Sequence, residues 1–167
     1  TYPAIYRYLK SMGEKQGKGK GLYERDDRGD YWWELRDCAY YIEFEKEKIV
    51  WQRVTKTAMF CLVDKGIYIH DSMAFMTCKM QGKYLMAMLN SKIVNWYFES
   101  IAHQYGNTGF LCSNQYVEHL PIPKISEADQ QPFITLVDQI LSLKKSDPNA
   151  DTSTLEAEID QMVYQLY

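Results

Sequence analysis

The sequence predicts an α+β fold: a small, mixed, twisted β-sheet with packed helices, followed by a C-terminal antiparallel helical hairpin. Three observations point there. From Lys48 to Cys78 short runs of β-branched and aromatic residues alternate or are bounded by turn residues, as strands are. From Lys83 to His103 the apolar residues switch to helical spacing. Two more stripes of that spacing follow Pro132. The 167 residues suffice for one domain with a real core, or one domain with a helical appendage. We expect a first domain over residues 1–125 and a hairpin or spacer over 126–167.

Element by element, Ile5, Tyr8, Leu9 and Met12 follow one face of a helix begun near Pro3. "GEKQGKGKG", Gly13 to Gly21, ends it and opens a loop that runs through Arg28. Aromatic-rich "DYWWELR", Asp30 to Arg36, reads as a strand or as an anchor beneath that loop. In "KIVWQRV", Ile49, Trp51 and Arg53 share one strand face and Val50, Gln52 and Val54 the other. "AMFCLV" and "IYI" flank Asp64-Lys65-Gly66, a hairpin signal, and "MAFMTC" adds a further strand. Tyr84, Leu85, Met88 and Leu89 form one helical stripe and Ile93, Trp96, Tyr97 and Ile101 another. Asn90 and Ser91, capping residues, divide them into two helices, and this Met-aromatic stripe is core. Gln104 to Gln115 reads as a polar loop, and Pro121 and Pro123 mark a boundary. Phe133 to Leu141 forms a helix with Pro132 in its first turn, and Leu155 to Leu166 a second helix opened by Ser153 and Glu156 as a capping box.

Chemistry narrows what such a fold does. Cys38, Cys61, Cys78 and Cys112 stand 23, 17 and 34 residues apart with no Cys-x-x-Cys pair, which disfavours zinc knuckles and disulfide scaffolds and favours a reducing, cytoplasmic setting. No metal site is expected among them or among the scattered His70, His103 and His119. The chain starts at Thr1, has no charged-then-apolar leader and no apolar run near the ~20 residues of a membrane span, so it reads as a soluble piece of something longer. The five prolines are never adjacent, so the Asn/Asp-Pro-Pro-aromatic loop of adenine-N6 methyltransferases is missing. So are the Gly-x-Gly-x-x-Gly and Walker patterns. No Lys has an acidic residue two positions earlier, as a common nuclease centre requires. Glu43 and Glu45 read as a solvated edge rather than an acid-base pair. No catalytic residue is expected, and a binding role remains.

The net charge of −3 hides an asymmetry: residues 1–56 carry 12 Lys+Arg against 10 Asp+Glu, residues 57–120 carry 4 and 4, and residues 121–167 carry 3 and 8. A stand-alone duplex binder would be basic throughout. This chain needs a local basic face or a neighbouring domain.

Several stretches together, "YPAIYRYLKS", "DYWWELRDCAYYIEFEKEKIVW", "KYLMAMLNSKIVNWYF" and "QYVEHLPIPKI" followed by "QQPFITLVDQIL", closely resemble the TaqI-like C-terminal specificity domain of restriction and modification enzymes. That family includes the fused type IIG enzymes and adenine-N6 DNA methyltransferases. The "LPIPKI…QQPFI" section also resembles the junction between recognition domain and helical spacer in type I specificity subunits. The resemblance implies a target recognition domain over residues 1–125, inert alone, that binds double-stranded DNA. It implies upstream methyltransferase or nuclease domains in the same polypeptide, which would hold S-adenosylmethionine and, for cleavage, Mg²⁺.

Such a domain must meet both phosphates and base edges. In the first polar loop Lys15, Lys18, Lys20, Arg25 and Arg28 are the candidates for phosphate or guanine. In the second, His103, Gln104, Asn107, Thr108, Asn114 and Gln115 are base-reading types, with Trp51, Arg53, Lys56 and Thr57 flanking them. The alternative reading is a protein-interaction module that dimerises through its C-terminal helices.

Overall fold

The computed structural model describes residues 2–14, 21–26, 28–34, 40–77, 80–107 and 109–167, and the chain divides into two compact units, Thr1–Ile42 and Glu43–Tyr167.

In the first unit α1 (Pro3–Ser11) opens with proline in its first turn, where the missing N–H would have had no helical partner. Beyond it, Leu22 and Tyr23 donate to the Met12 and Gly13 carbonyls at 3.1 and 2.9 Å, joining the two flanks of residues 15–20. A side chain at Gly13 would collide with the Tyr23 ring. Of Asp30–Arg36, expected as a strand or an aromatic anchor, residues 30–34 form turns, with Glu34 N–H donating to Tyr31 O at 3.1 Å, and residues 35 and 36 lie outside the described residues. The anchor reading holds for them. Trp32 meets Tyr23 edge-on at 4.7 Å and Tyr6 of α1 at 6.0 Å, so aromatic contact takes the place of strand pairing.

The division into units falls inside the one-turn helix α2 (Tyr41–Phe44). In the second unit β1 (Lys48–Gln52) is the middle of an antiparallel sheet, flanked by β3 (Phe60–Val63) and β4 (Met73–Met76), with Val50 opposite both Cys61 and Phe75. A central strand is covered on both faces, and Ile49, Val50 and Trp51 are all buried. Lys48 is buried as well, its Nζ donating to Asp64 O at 3.1 Å. The hairpin expected between "AMFCLV" and "IYI" does not form. Gly66 supplies the turn at φ +76°, but its N–H bonds Phe44 O at 2.8 Å and Tyr68 stacks on Phe44 at 4.7 Å. Tyr68 therefore lies against Phe44, and β4 takes the second edge of β1.

A second antiparallel sheet has the order β2-β6-β5: β2 (Val54–Thr55), β6 (Gly109–Leu111) and β5 (Gln104–Tyr105). Val54 pairs with Leu111 and Thr55 with Phe110, while Gln104 pairs with Phe110 from the other side. The stretch expected as a polar loop thus holds two strands and, after them, α5 (Asn114–Val117).

Two helices, α3 (Gly82–Asn90) and α4 (Lys92–Ile101), fill the predicted helical section. Tyr84, Met88, Leu89, Val94 and Phe98 sink into the core with Trp51, Phe60, Phe133, Val137 and Val163. At the break Ser91 Oγ donates back to Met88 O at 2.7 Å, on the last turn of α3, and caps no N–H of α4. Asn90 instead accepts from Phe60 N–H and donates to Phe60 O, both at 2.9 Å, covering the β3 backbone. Asp160 of α7 (Ser153–Tyr164) caps α4 in its place, accepting from Lys92 N–H at 2.8 Å.

The C-terminal helices form, with shifted starts. α6 (Glu127–Ser146) begins at Ser126, whose Oγ accepts from Asp129 N–H at 3.2 Å, so Pro132 lies in its second turn. α7 starts from Thr152, which hydrogen-bonds Glu156 at 2.6 Å, one residue before the predicted cap. Both share the core of this unit through Phe133, Val137, Ile159 and Val163. No helix among the described residues is long and apolar enough to cross a membrane.

Candidate nucleic-acid interface

The candidate surface grows out of the point where β1 ends. The alternation of "KIVWQRV" would carry Arg53 inward beside Trp51, but the chain bends at Arg53 and leaves β1 for the second sheet. Arg53 N–H donates to Ser72 O at 3.0 Å and Arg53 O accepts from Cys112 N–H at 2.8 Å, so its backbone is clamped from both sides. Its side chain points out, exposed and with no side-chain partner among the described residues. Lys56, also exposed and likewise unpartnered there, follows just past β2. Thr55 Oγ1 donates to Thr57 O at 2.7 Å and shapes the turn that carries Lys56 and Thr57.

From the other end of the sequence the β5–β6 hairpin arrives alongside. Its turn needs Gly106 at φ +63°, a conformation that a side chain strains, and it holds Asn107 exposed at the tip. Thr55, Lys56, Thr57, Met59, Tyr105 and Asn107 then line one open cleft of about 790 Å³. Two segments some fifty residues apart in the chain meet there through the pairing of β2 with β6.

Trp51 is corrected from a flanking contact to a strut. It is 2% exposed, and its indole N–H donates to Cys112 O at 2.8 Å, tying the first sheet to the end of β6. Burial pushes the Cys112 thiol up to about 12, so this partner of Trp51 stays neutral.

The other candidates are distributed unevenly. Gln104 is exposed on β5, next to the cleft-lining Tyr105, and exposed His103 precedes it, its carbonyl accepting from Leu111 N–H at 2.8 Å. Asn114 and Gln115 are exposed on α5, away from the cleft's lining residues. Arg25 and Arg28 belong to the first unit and turn donors inward: Arg25 to Glu34 O, and Arg28 to Tyr23 O at 2.6 Å. These bonds shape their own loop. Lys15, Lys18, Lys20 and Thr108 lie outside the described residues.

Sequence reading passed over Val54, Met59 and Tyr105, which give the cleft exposed apolar and aromatic surface. The signal for them was Val54 and Tyr105 in isolated two-residue strands, too short for any period to register. Among the described residues no group of three or more His, Cys, Asp or Glu could hold a metal ion.

The model of one family, the TaqI-like C-terminal specificity domain, matches residues 4–122. No curated protein matches the chain significantly.

Proposed function

This chain belongs to the family of TaqI-like C-terminal specificity domains, and from that premise we propose that it selects a DNA sequence for a restriction-modification enzyme through the cleft between Thr55 and Asn107. The observation that carries the reading is one cleft that joins Lys56 with hydrogen-bonding and apolar groups, with exposed Arg53 beside it in the chain between the lining residues Gln52 and Val54. Arg53 and Lys56 supply charge for phosphates, which fix register. Thr57 and Asn107 supply the polar groups that read base edges, Asn suiting the N6/N7 edge of adenine, while Met59 and Val54 suit a thymine methyl. Because the pairing of β2 with β6 and the two backbone bonds of Arg53 hold this stretch, the surface is set before DNA arrives.

The partner is double-stranded DNA, and the chain acts within a longer polypeptide that methylates adenine or cleaves near the chosen site. S-adenosylmethionine and Mg²⁺ belong to that upstream catalytic part, and the setting is cytoplasmic. Residues 1–125 act as the recognition domain and 126–167 as the spacer, a division supported by the end of the family match at residue 122. The isolated chain is inert as an enzyme. Removing this segment from the parent enzyme should abolish site selectivity in a gel-shift comparison; undiminished selectivity would sink the proposal.

A second reading, a module that pairs through its C-terminal helices, is favoured by Leu141, Leu143 and Tyr164, which stay exposed on α6 and α7. Charge substitutions there should lower the oligomer mass measured by light scattering if it holds.

A further inference from the structure

The first unit carries an exposed aromatic surface that the sheet cleft does not use. We propose that the stacked rings of Tyr31 and Trp33 form a platform for an unpaired nucleobase of DNA. The two rings lie nearly parallel, with centroids 4.7 Å apart and 12° between planes, yet they remain 54% and 42% exposed. Among the described residues the other ring contacts of this cluster are tilted or edge-on. Trp32 braces Trp33 at 5.4 Å and 87°, and Tyr6 of α1 meets it at 6.3 Å and 71°. An edge-on contact locks one ring against another, whereas a parallel, exposed pair leaves a flat π face on which a base can stack.

The backbone fixes that pair beforehand. Glu34 N–H donates to Tyr31 O, and Tyr31 N–H to Glu34 Oε2, both at 3.1 Å, while the Arg25 guanidinium donates to Glu34 O. A preformed platform loses little freedom on binding.

Charge selects the occupant. Arg25, Asp26, Arg28, Asp30 and Glu34 surround the rings in sequence with both signs mixed. The core of an apolar protein interface is depleted of charge, and a groove that tracks phosphates carries one sign. An exposed stacked pair flanked in sequence by both signs of charge suits a flat, neutral ring swung out on its sugar so that the phosphates stay clear of it, which is an unpaired base.

The inference rests on DNA being the partner, and its test separates the two. Labelled short duplexes, one fully paired and one carrying a single unpaired thymine, are titrated with the full chain and followed by fluorescence anisotropy. The wild-type chain should prefer the unpaired base. Tyr31→Ala with Trp33→Ala should reduce that preference by about five- to a hundredfold, leaving affinity for the paired duplex and its salt dependence unchanged. Trp33→Phe, which keeps a ring and guards against loss of fold, should retain most of it. Equal binding of the two DNAs by the wild-type chain, or a preference that survives the double substitution, overturns the platform. So does a result in which the double variant changes only the binding of other protein segments. Trp33-dependent binding of single-stranded DNA without any duplex binding upholds the platform and defeats the sheet-cleft reading instead.

Discussion

Replacing Trp51 with Phe should damage stability and DNA binding together, because one indole joins the core to the cleft. The substitution keeps an aromatic ring but removes the N–H that donates to Cys112 O at 2.8 Å. With Trp51 2% exposed and Cys112 fully buried, no water replaces that donor. An orphaned buried carbonyl costs about 1–3 kcal/mol, and the missing part of the indole about 1 kcal/mol more. The sum, about 2–4 kcal/mol, should lower Tm by about 5–15 °C for a chain of this size. Thermal unfolding followed by circular dichroism measures it. The functional half needs a control of similar cost far from the cleft. Leu136→Ala on α6, buried among the helices, costs about 2–5 kcal/mol. Well below both melting points, Trp51→Phe should weaken duplex binding and Leu136→Ala should not. A stability loss under about 1 kcal/mol, or equal DNA affinity in the two variants, would refute the strut.

Further substitutions and one labelling reaction follow from individual residues. Asn90→Ala removes its bonds to the Phe60 N–H and carbonyl and to Met86 O, and should cost about 1–3 kcal/mol in urea unfolding with an unchanged m-value. Asp160→Ala should cost about 1 kcal/mol through the lost cap on Lys92 N–H, while Asp160→Asn, which can still accept that bond, should stay near wild type; equal losses would instead give the weight to the ion pair of half-buried Asp160 with the exposed Lys92 ammonium at 3.1 Å. Cys112, with its folded thiol raised to about 12 from 9.0, contributes stability below pH 9 that is lost as pH climbs toward 12, so Cys112→Ala should flatten the alkaline fall in Tm. In the native chain at pH 8, iodoacetamide should label exposed Cys61 and spare Cys112.

The helical half of this fold was legible because its signals are local and repeat. Tyr84, Met88 and Leu89, or Phe133 and Val137, announce a buried face within a few residues of one another, and each is buried. The second sheet was not legible. Its strands are two, two and three residues long, and Val54 finds Leu111 across most of a domain. No period can register in two residues, so Gln104 to Gln115 read as a loop. The same limit hid the cleft: Lys56 and Asn107 were each named as candidates, but only the β2–β6 pairing brings them to one surface. Trp51 misled in the opposite direction. An aromatic residue two positions from an arginine fits a DNA-facing strand equally well until the bend at Arg53 separates their environments.

The central claim is that the cleft beside Arg53 and Lys56 meets DNA phosphates, and salt dependence tests it most directly. Each phosphate contact adds about 0.9 to the slope of log affinity against log salt. Arg53→Ala with Lys56→Ala should therefore lower that slope by about 1.8. Raising salt from about 50 to 200 mM would then cost the variant roughly tenfold less affinity than it costs the wild-type chain. Lys65→Ala, in the turn at Gly66 beyond β3 and next to no residue that lines the cleft, should leave the slope unchanged. An unchanged slope in the double variant, or the same fall in the Lys65 control, would contradict the assignment of DNA to this surface.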